Sequence, residues 1–229
     1  MPGWFLDNTK YFTVCLGILA GFPLVRRYCK RFDLTNSVWM AVLLSLSFSA
    51  VSLISALLFA MLEQLLSGQS ISVGSISTYG VYFICPILIA LPARFLHWDI
   101  KRLLDLYALY AIPSLILMRV NCLIVGCCYG RPMGIANLTW PTRAAEMVFY
   151  AAMLVVLLRR EKRSATAGTY FPLLLTSYGA FRFIAEWFRA GEGWLHMAHG
   201  WSVLAVIIGL GFYFELKRQG ARRVRPGRS

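Results

Sequence analysis

Long apolar runs, broken by short polar connectors that are mostly basic, give the chain its pattern. The runs are Tyr11–Val25, Ser37–Leu66, Gly80–Ala93, Leu103–Val125, Thr142–Leu158, Thr169–Phe188 and Ala198–Leu216. Several approach or exceed the roughly 20 residues a helix needs to cross a bilayer. The pattern predicts an all-α membrane protein, a bundle of about seven transmembrane helices. The second run is long enough to tilt, and the third is short and contains Pro86. Polar residues Ser67–Tyr79 separate runs two and three, and a loop with glycines at 126, 130 and 134 separates runs four and five. Residues 1–216 read as one membrane domain without internal repeats, and 217–229 as a basic, unstructured cytoplasmic tail.

Composition supports this reading. Of the 229 residues, 59% are hydrophobic and 14% charged, against about 25% charged in soluble domains. A net charge of +13 could suit nucleic acid, but its distribution excludes that partner. Basic clusters at Arg26–Arg31, Arg94–Arg102, Arg159–Arg163 and Lys217–Arg228 follow alternate runs, as the positive-inside rule requires. They place the N-terminus outside and the C-terminus in the cytoplasm. Asp7 and the missing basic n-region argue against a cleavable signal peptide. Lys10 stands at the start of the first run. Five arginines remain that topology does not require: Arg119, Arg131, Arg143, Arg182 and Arg189.

Those arginines, with Tyr79, Glu146 and Glu186, fall at one level, the outer half of the membrane or its outer interface. Arginine in hydrocarbon is costly and marks function. A bundle that buries these groups together forms a cationic cavity, and the planar guanidinium fork suits a phospholipid phosphate. In Phe181–Arg189, FRFIAEWFR, Arg182 and Glu186 are at i and i+4 and share a helix face, with Arg189 at i+7. Arg182 and Glu186 are expected to position each other, leaving Arg189 for an anion. In Trp140–Glu146, WPTRAAE, Pro141 starts a helix and Glu146 lies near its positive end. Glu146 fits either a dipole or a site role. Asp105, three residues after Arg102, is expected to pair locally.

Cys122, Cys127 and Cys128 have the spacing C-x4-C-C. It matches neither the usual zinc nor iron–sulfur patterns, and His196 or His199 would have to complete a set. Close helix packing, a redox or nucleophilic thiol, and a metal site stand in that order; a Cys122–Cys127 bridge fits an oxidising compartment. No metal or cofactor is expected. Cys15, Cys29 and Cys85 read as packing or surface residues.

The motifs together resemble the bacterial phosphatidylglycerol–prolipoprotein diacylglyceryl transferases. Met118–Arg131, MRVNCLIVGCCYGR, aligns without gaps with that family's G-R-x-G-N-F-x-N-G-E-x-x-G-R and matches at Arg119, Gly126, Gly130 and Arg131. Trp140–Glu146 resembles h-P-[ST]-Q-L-Y-E. Tyr178–Arg189 is similar to Y-G-x-x-R-F-x-x-E-F-x-R, Met197–Ser202 to M-G-Q-x-x-S with His199 for Gln, and Ser77–Tyr82 to S-x-H-G-G-L. Where the family has His, Gly, Gly, Asn and an acid, this chain has Tyr79, Val81, Asn121, Cys122 and Cys127.

The resemblance implies a multi-pass bacterial inner-membrane enzyme. It would move the diacylglyceryl group of phosphatidylglycerol to the lipobox cysteine of a prolipoprotein signal peptide, or to another acceptor, and release glycerol phosphate. A non-catalytic lipid or anion carrier, or a thiol–disulfide protein, is the alternative. By carry-over Arg119 and Arg182 hold phosphate and Glu186 orients Arg182. Tyr79, Cys122 and Cys127 join them as candidate catalytic residues. Arg131, Gly126, Gly130, Arg143, Glu146, Arg189 and His199 are the candidate substrate-binding residues.

Overall fold

The computed structural model describes residues 3–32, 34–68, 70–72, 75–134, 138–162, 167–190 and 197–224. Eight helices follow in order: α1 Gly3–Arg31, α2 Val38–Leu66, α3 Thr78–Phe83, α4 Cys85–Phe95, α5 Ile100–Val125, α6 Thr142–Lys162, α7 Tyr170–Trp187 and α8 Met197–Val224. Among the described residues there is no strand, and two isolated bridges, Gly130 with Arg189 and Pro132 with Thr139, are the extended pairings. Among the described residues, five stretches are long and apolar enough to cross a membrane: Phe12–Arg31, Val38–Leu66, Thr78–Phe95, Ile100–Val125 and Met197–Gln219. Helices α6 and α7 are not among the five. They carry Arg143, Glu146, Arg182 and Glu186.

Two expectations need correction. The third apolar run is not one helix: α3 ends at Phe83 and α4 begins at Cys85. Pro86 lies in the first turn of α4, where its missing N–H is harmless, whereas continuing α3 through it would set the ring against a preceding carbonyl. At the other end, α8 continues through Lys217 and Arg218 to Val224, where an unstructured tail was expected. Residues 225–229 and His196 lie outside the described residues.

Helix α5 is the hub. It starts at Asp99, whose side chain accepts hydrogen bonds from the Lys101 and Arg102 amides. Asp105 through Ile112 are all buried, so α5 is covered around its circumference, by α1, α2, α6 and α7. A lipid-facing helix buries one stripe; one apolar on every side belongs in a bundle centre. Its contact with α2 is partly polar. Tyr107 shares a 3.0 Å hydrogen bond with Ser52, and Tyr110 is hydrogen-bonded to Ser49. Hydroxyls serve as such cross-helix links where no water competes. Below the site the rings of Tyr82 and Tyr178 stack at 4.3 Å, and Tyr150 stacks on Tyr178. This aromatic layer closes the core beneath the polar residues.

Asp105 does not pair with Arg102, which instead reaches Asp99 at 3.4 Å. The buried Asp105 carboxyl accepts the Gly168 amide at 2.5 Å, Tyr170 at 2.8 Å and Phe171 at 3.4 Å. These are the free N–H groups at the start of α7, which need an acceptor. An α5 side chain therefore caps α7 and fixes where that helix begins. Replacing Asp105 with Ala should cost about 1–2 kcal/mol, and Asp105→Asn less, since one acceptor oxygen remains. Thermal unfolding in detergent checks this; equal midpoints for Asp105→Ala and the parent chain would refute the capping role.

Candidate functional site

Arg119 is in the last two turns of α5, Glu146 in the second turn of α6, and Arg182 and Glu186 in the last turns of α7. Their relative exposures are 5%, 4%, 6% and 8%, so each charge must be met by protein. Glu146 meets two of them. One oxygen pairs with Arg119 Nε, and the other accepts from Arg182 Nη1 at 2.7 Å. Arg182 Nη2 pairs with Glu186 at 3.0 Å, so the expected i,i+4 partnership is present. Arg119 Nη2 also donates to Thr78 Oγ1 of α3 at 3.2 Å. Two guanidinium and two carboxylate groups, drawn from three helices, thus form one internally balanced cluster.

Three of the four, Arg119, Arg182 and Glu186, line one wall of a cavity of about 800 Å³, within the size range of small-ligand sites. Arg119, Arg182, Glu186, Arg189, Tyr79, Cys122, Cys127 and Cys128 all line it. Each guanidinium has five N–H donors in a planar fork. The carboxylates occupy only some of them, and Arg182 Nε has no hydrogen-bond partner among the described residues. Glu146 therefore holds the two forks in place and leaves donors for an anion.

The remaining predicted residues divide. Tyr79 is on the cavity wall, but its hydroxyl donates to the Ala198 carbonyl at 2.8 Å and shares a 2.7 Å hydrogen bond with Ser202. Arg189 is not on a shared α7 face, because that helix ends at Trp187. It follows the turn, bridges to Gly130, and donates from Nη2 to Cys128 Sγ at 3.3 Å. Arg131, Arg143, Gly126, Gly130, His199 and Glu146 do not border the cavity. Arg131 donates to the Arg189 carbonyl at 3.1 Å, and Arg143 to the Cys122 carbonyl at 3.0 Å while lying over the Tyr129 ring. His199 is buried edge-on between Phe183 and Trp187.

The two matched glycines shape the loop. Gly126 caps α5 with φ +74° and ψ 40°, a left-handed conformation that glycine adopts freely. At Gly130 a Cβ would fall 2.1 Å from the Trp140 carbonyl oxygen, so a side chain there would push the loop apart. The loop is then fastened to the end of α7: the Arg131 amide donates to Phe188, and the Ala190 amide to Tyr129.

All six cysteines are free thiols. Hydrogen bonding from Cys122, with help from the nearby Arg189 and Arg119 charges, lowers the Cys128 pKa to about 5. Burial raises that of Cys127. Sequence reasoning missed Glu63, Gln64, Thr78 and Asn121 on the cavity wall. Glu63 had a signal, being the one charged residue within Val38–Leu66.

The model of the prolipoprotein diacylglyceryl transferase family matches residues 11–215. The chain belongs to this family. Among its curated relatives, the phosphatidylglycerol–prolipoprotein diacylglyceryl transferase of Clostridium tetani is 27% identical, over 61% of this chain and 63% of its own length. Two proteins of the same name from Dehalococcoides mccartyi are 28% identical, over 56% of each chain, and 25% identical, over 68% of this chain and 64% of theirs. The chain thus spans less than two thirds of these transferases' length.

Glu146→Gln should be the most damaging single change in the cluster, because it leaves both guanidinium groups short of a buried counter-charge. Losing one partner of a buried pair costs about 3–5 kcal/mol. Glu186→Gln should cost less, since Arg182 keeps Glu146. Denaturant or thermal unfolding of the two variants in detergent gives the order, and the reverse order would contradict the bridging role.

Proposed function

We propose that this chain is a membrane transferase that moves a diacylglyceryl group from phosphatidylglycerol to a thiol acceptor, the lipobox cysteine of a prolipoprotein being the first candidate. The observation that carries this reading is that Arg119, Arg182 and Glu186 line one cavity while Glu146 behind them ties the two arginines together, in a member of a family named for that reaction. The protein would sit in a bacterial inner membrane with seven crossings, α3 and α4 making one together. The N-terminus would be outside and the C-terminus in the cytoplasm. The alternating basic clusters support that orientation, and it brings the cavity to the outer leaflet.

In the reaction, donors of Arg119, Arg182 and Arg189 hold the lipid phosphate. The acceptor sulfur attacks the glycerol carbon that carries the phosphate ester, forming a C–S bond as the C–O bond breaks. The C–O electrons leave with glycerol phosphate, whose growing charge the preorganised guanidinium groups stabilise. The thiol proton leaves on that phosphate, whose second pKa is near ~6. Such a route needs no histidine at position 79, where Tyr79 is already hydrogen-bonded to α8.

That same engagement of Tyr79 favours a second reading, a lipid or anion carrier that keeps the cationic cavity and performs no chemistry. Purified protein given labelled phosphatidylglycerol and a lipobox peptide separates the two. Transfer predicts a thioether-linked product with release of glycerol phosphate, and a loss of roughly 100-fold or more in rate for Arg182→Gln. Bound lipid with neither product nor released glycerol phosphate would reject the transferase reading and leave the carrier.

A further inference from the structure

The thiols of Cys122, Cys127 and Cys128 converge, although their spacing in sequence gives no sign of it. Their three sulfur atoms all lie within 4.8 Å of one another at the edge of the cavity. The convergence has a definite local cause. Cys122 belongs to the last turn of α5, and the left-handed Gly126 ends that helix so that the chain doubles back. The Cys127 amide then donates to the Cys122 carbonyl at 3.2 Å. Cys128 itself has φ +58°, a conformation uncommon for a residue with a Cβ and costly enough to need support. That support is present: Thr142 Oγ1 donates to the Cys128 carbonyl at 3.3 Å.

We propose that these three cysteines form a binding site for one soft, thiophilic metal ion of the copper(I) class, a role additional to the lipid chemistry at the edge of the same cavity. Thiolate sulfur selects soft ions. With metal–sulfur bonds of about 2.3 Å, the corners of a trigonal site are about 4 Å apart. Sulfurs within 4.8 Å of one another are already close to that spacing. Among the described residues no histidine, aspartate or glutamate joins the group. The donor set is therefore three sulfurs, which suits a three-coordinate ion better than a tetrahedral one.

Charge supports the assignment. Three thiolates around a monovalent ion carry net negative charge, which is costly at a half-buried position unless it is met. Arg189 Nη2 lies 3.3 Å from Cys128 Sγ, and Arg119 Nη1 4.0 Å from Cys122 Sγ. These guanidinium groups would serve as outer-shell donors to the ligating sulfurs, the kind of contact that orients ligands and tunes a metal site. Cys127 and Cys128 fall in the loop that Arg131 and Arg143 brace, and Cys122 in the helix turn just before it, so the ligands sit on a fixed support.

The test is an anaerobic titration of the full-length, reduced protein in detergent with copper(I), set against a competing chelator. One ion per chain should bind, with a thiolate-to-copper charge-transfer band in the near ultraviolet. Bound copper should shield three more thiols from maleimide than the apo protein does, as counted by intact mass. That count uses the unaltered chain and does not depend on whether a variant folds. Cys122→Ser, Cys127→Ser or Cys128→Ser should weaken binding by more than the ~10–100-fold typical of losing an outer-shell partner, and Arg189→Gln by about that much. Cys15→Ser should leave it unchanged. No charge-transfer band, no protection of these thiols, or copper binding that survives the triple substitution Cys122→Ser, Cys127→Ser, Cys128→Ser would overturn the proposal.

Discussion

A single carboxylate, Glu146, is what the cavity end of this bundle depends on. It neutralises Arg119 on one side and Arg182 on the other, in surroundings too apolar for either charge to stand alone. Because its two oxygens serve different helices, α5 and α7 cannot shift against each other without uncovering a charge. The pairing therefore acts as a positional constraint as much as an attraction. Packed apolar residues in place of a buried ion triad are often as stable or more so, so the polar arrangement points to use.

The rest of the fold bears on that constraint from two directions. At the end away from the cavity, Asp105 sets where α7 starts, and the tyrosine layer of Tyr82, Tyr150 and Tyr178 separates the charges from the apolar core. At the cavity end, the loop after α5 is tied to the end of α7 through Arg131, Tyr129 and Phe188. A helix held at both ends presents Arg182 and Glu186 in one orientation, which is what preorganised charge stabilisation requires.

What the sequence made legible follows the range of the interaction. Apolar periodicity and the i,i+4 spacing of Arg182 and Glu186 are local, and both appear in the structure. The bridge by Glu146 links residues 27 and 36 positions away from it, and near a helix start a dipole explanation suits that glutamate equally well. Asp105 acts across more than 60 residues, so its proximity to Arg102 in sequence misled. Arg189 was misplaced for a similar reason: its docking on Gly130, a distant residue, ends the helix that spacing alone would have continued. The cysteines fit no spacing rule because their meeting depends on one left-handed glycine, a backbone fact that side-chain patterns do not encode.

Helices α6 and α7, which are not among the five strongly apolar spans, carry the charges in an order worth following along the chain. Arg119 comes first, then Glu146, then Arg182 and Glu186. Positive, negative, positive, negative: each charge emerges from the ribosome after its counter-ion's helix or just before it. An isolated charge costs most, about 2.5–3.5 kcal/mol, at the centre of a membrane helix; these four lie in terminal turns. Their order along the chain lets α6 meet the charge of α5, and α7 that of α6, as each helix is added.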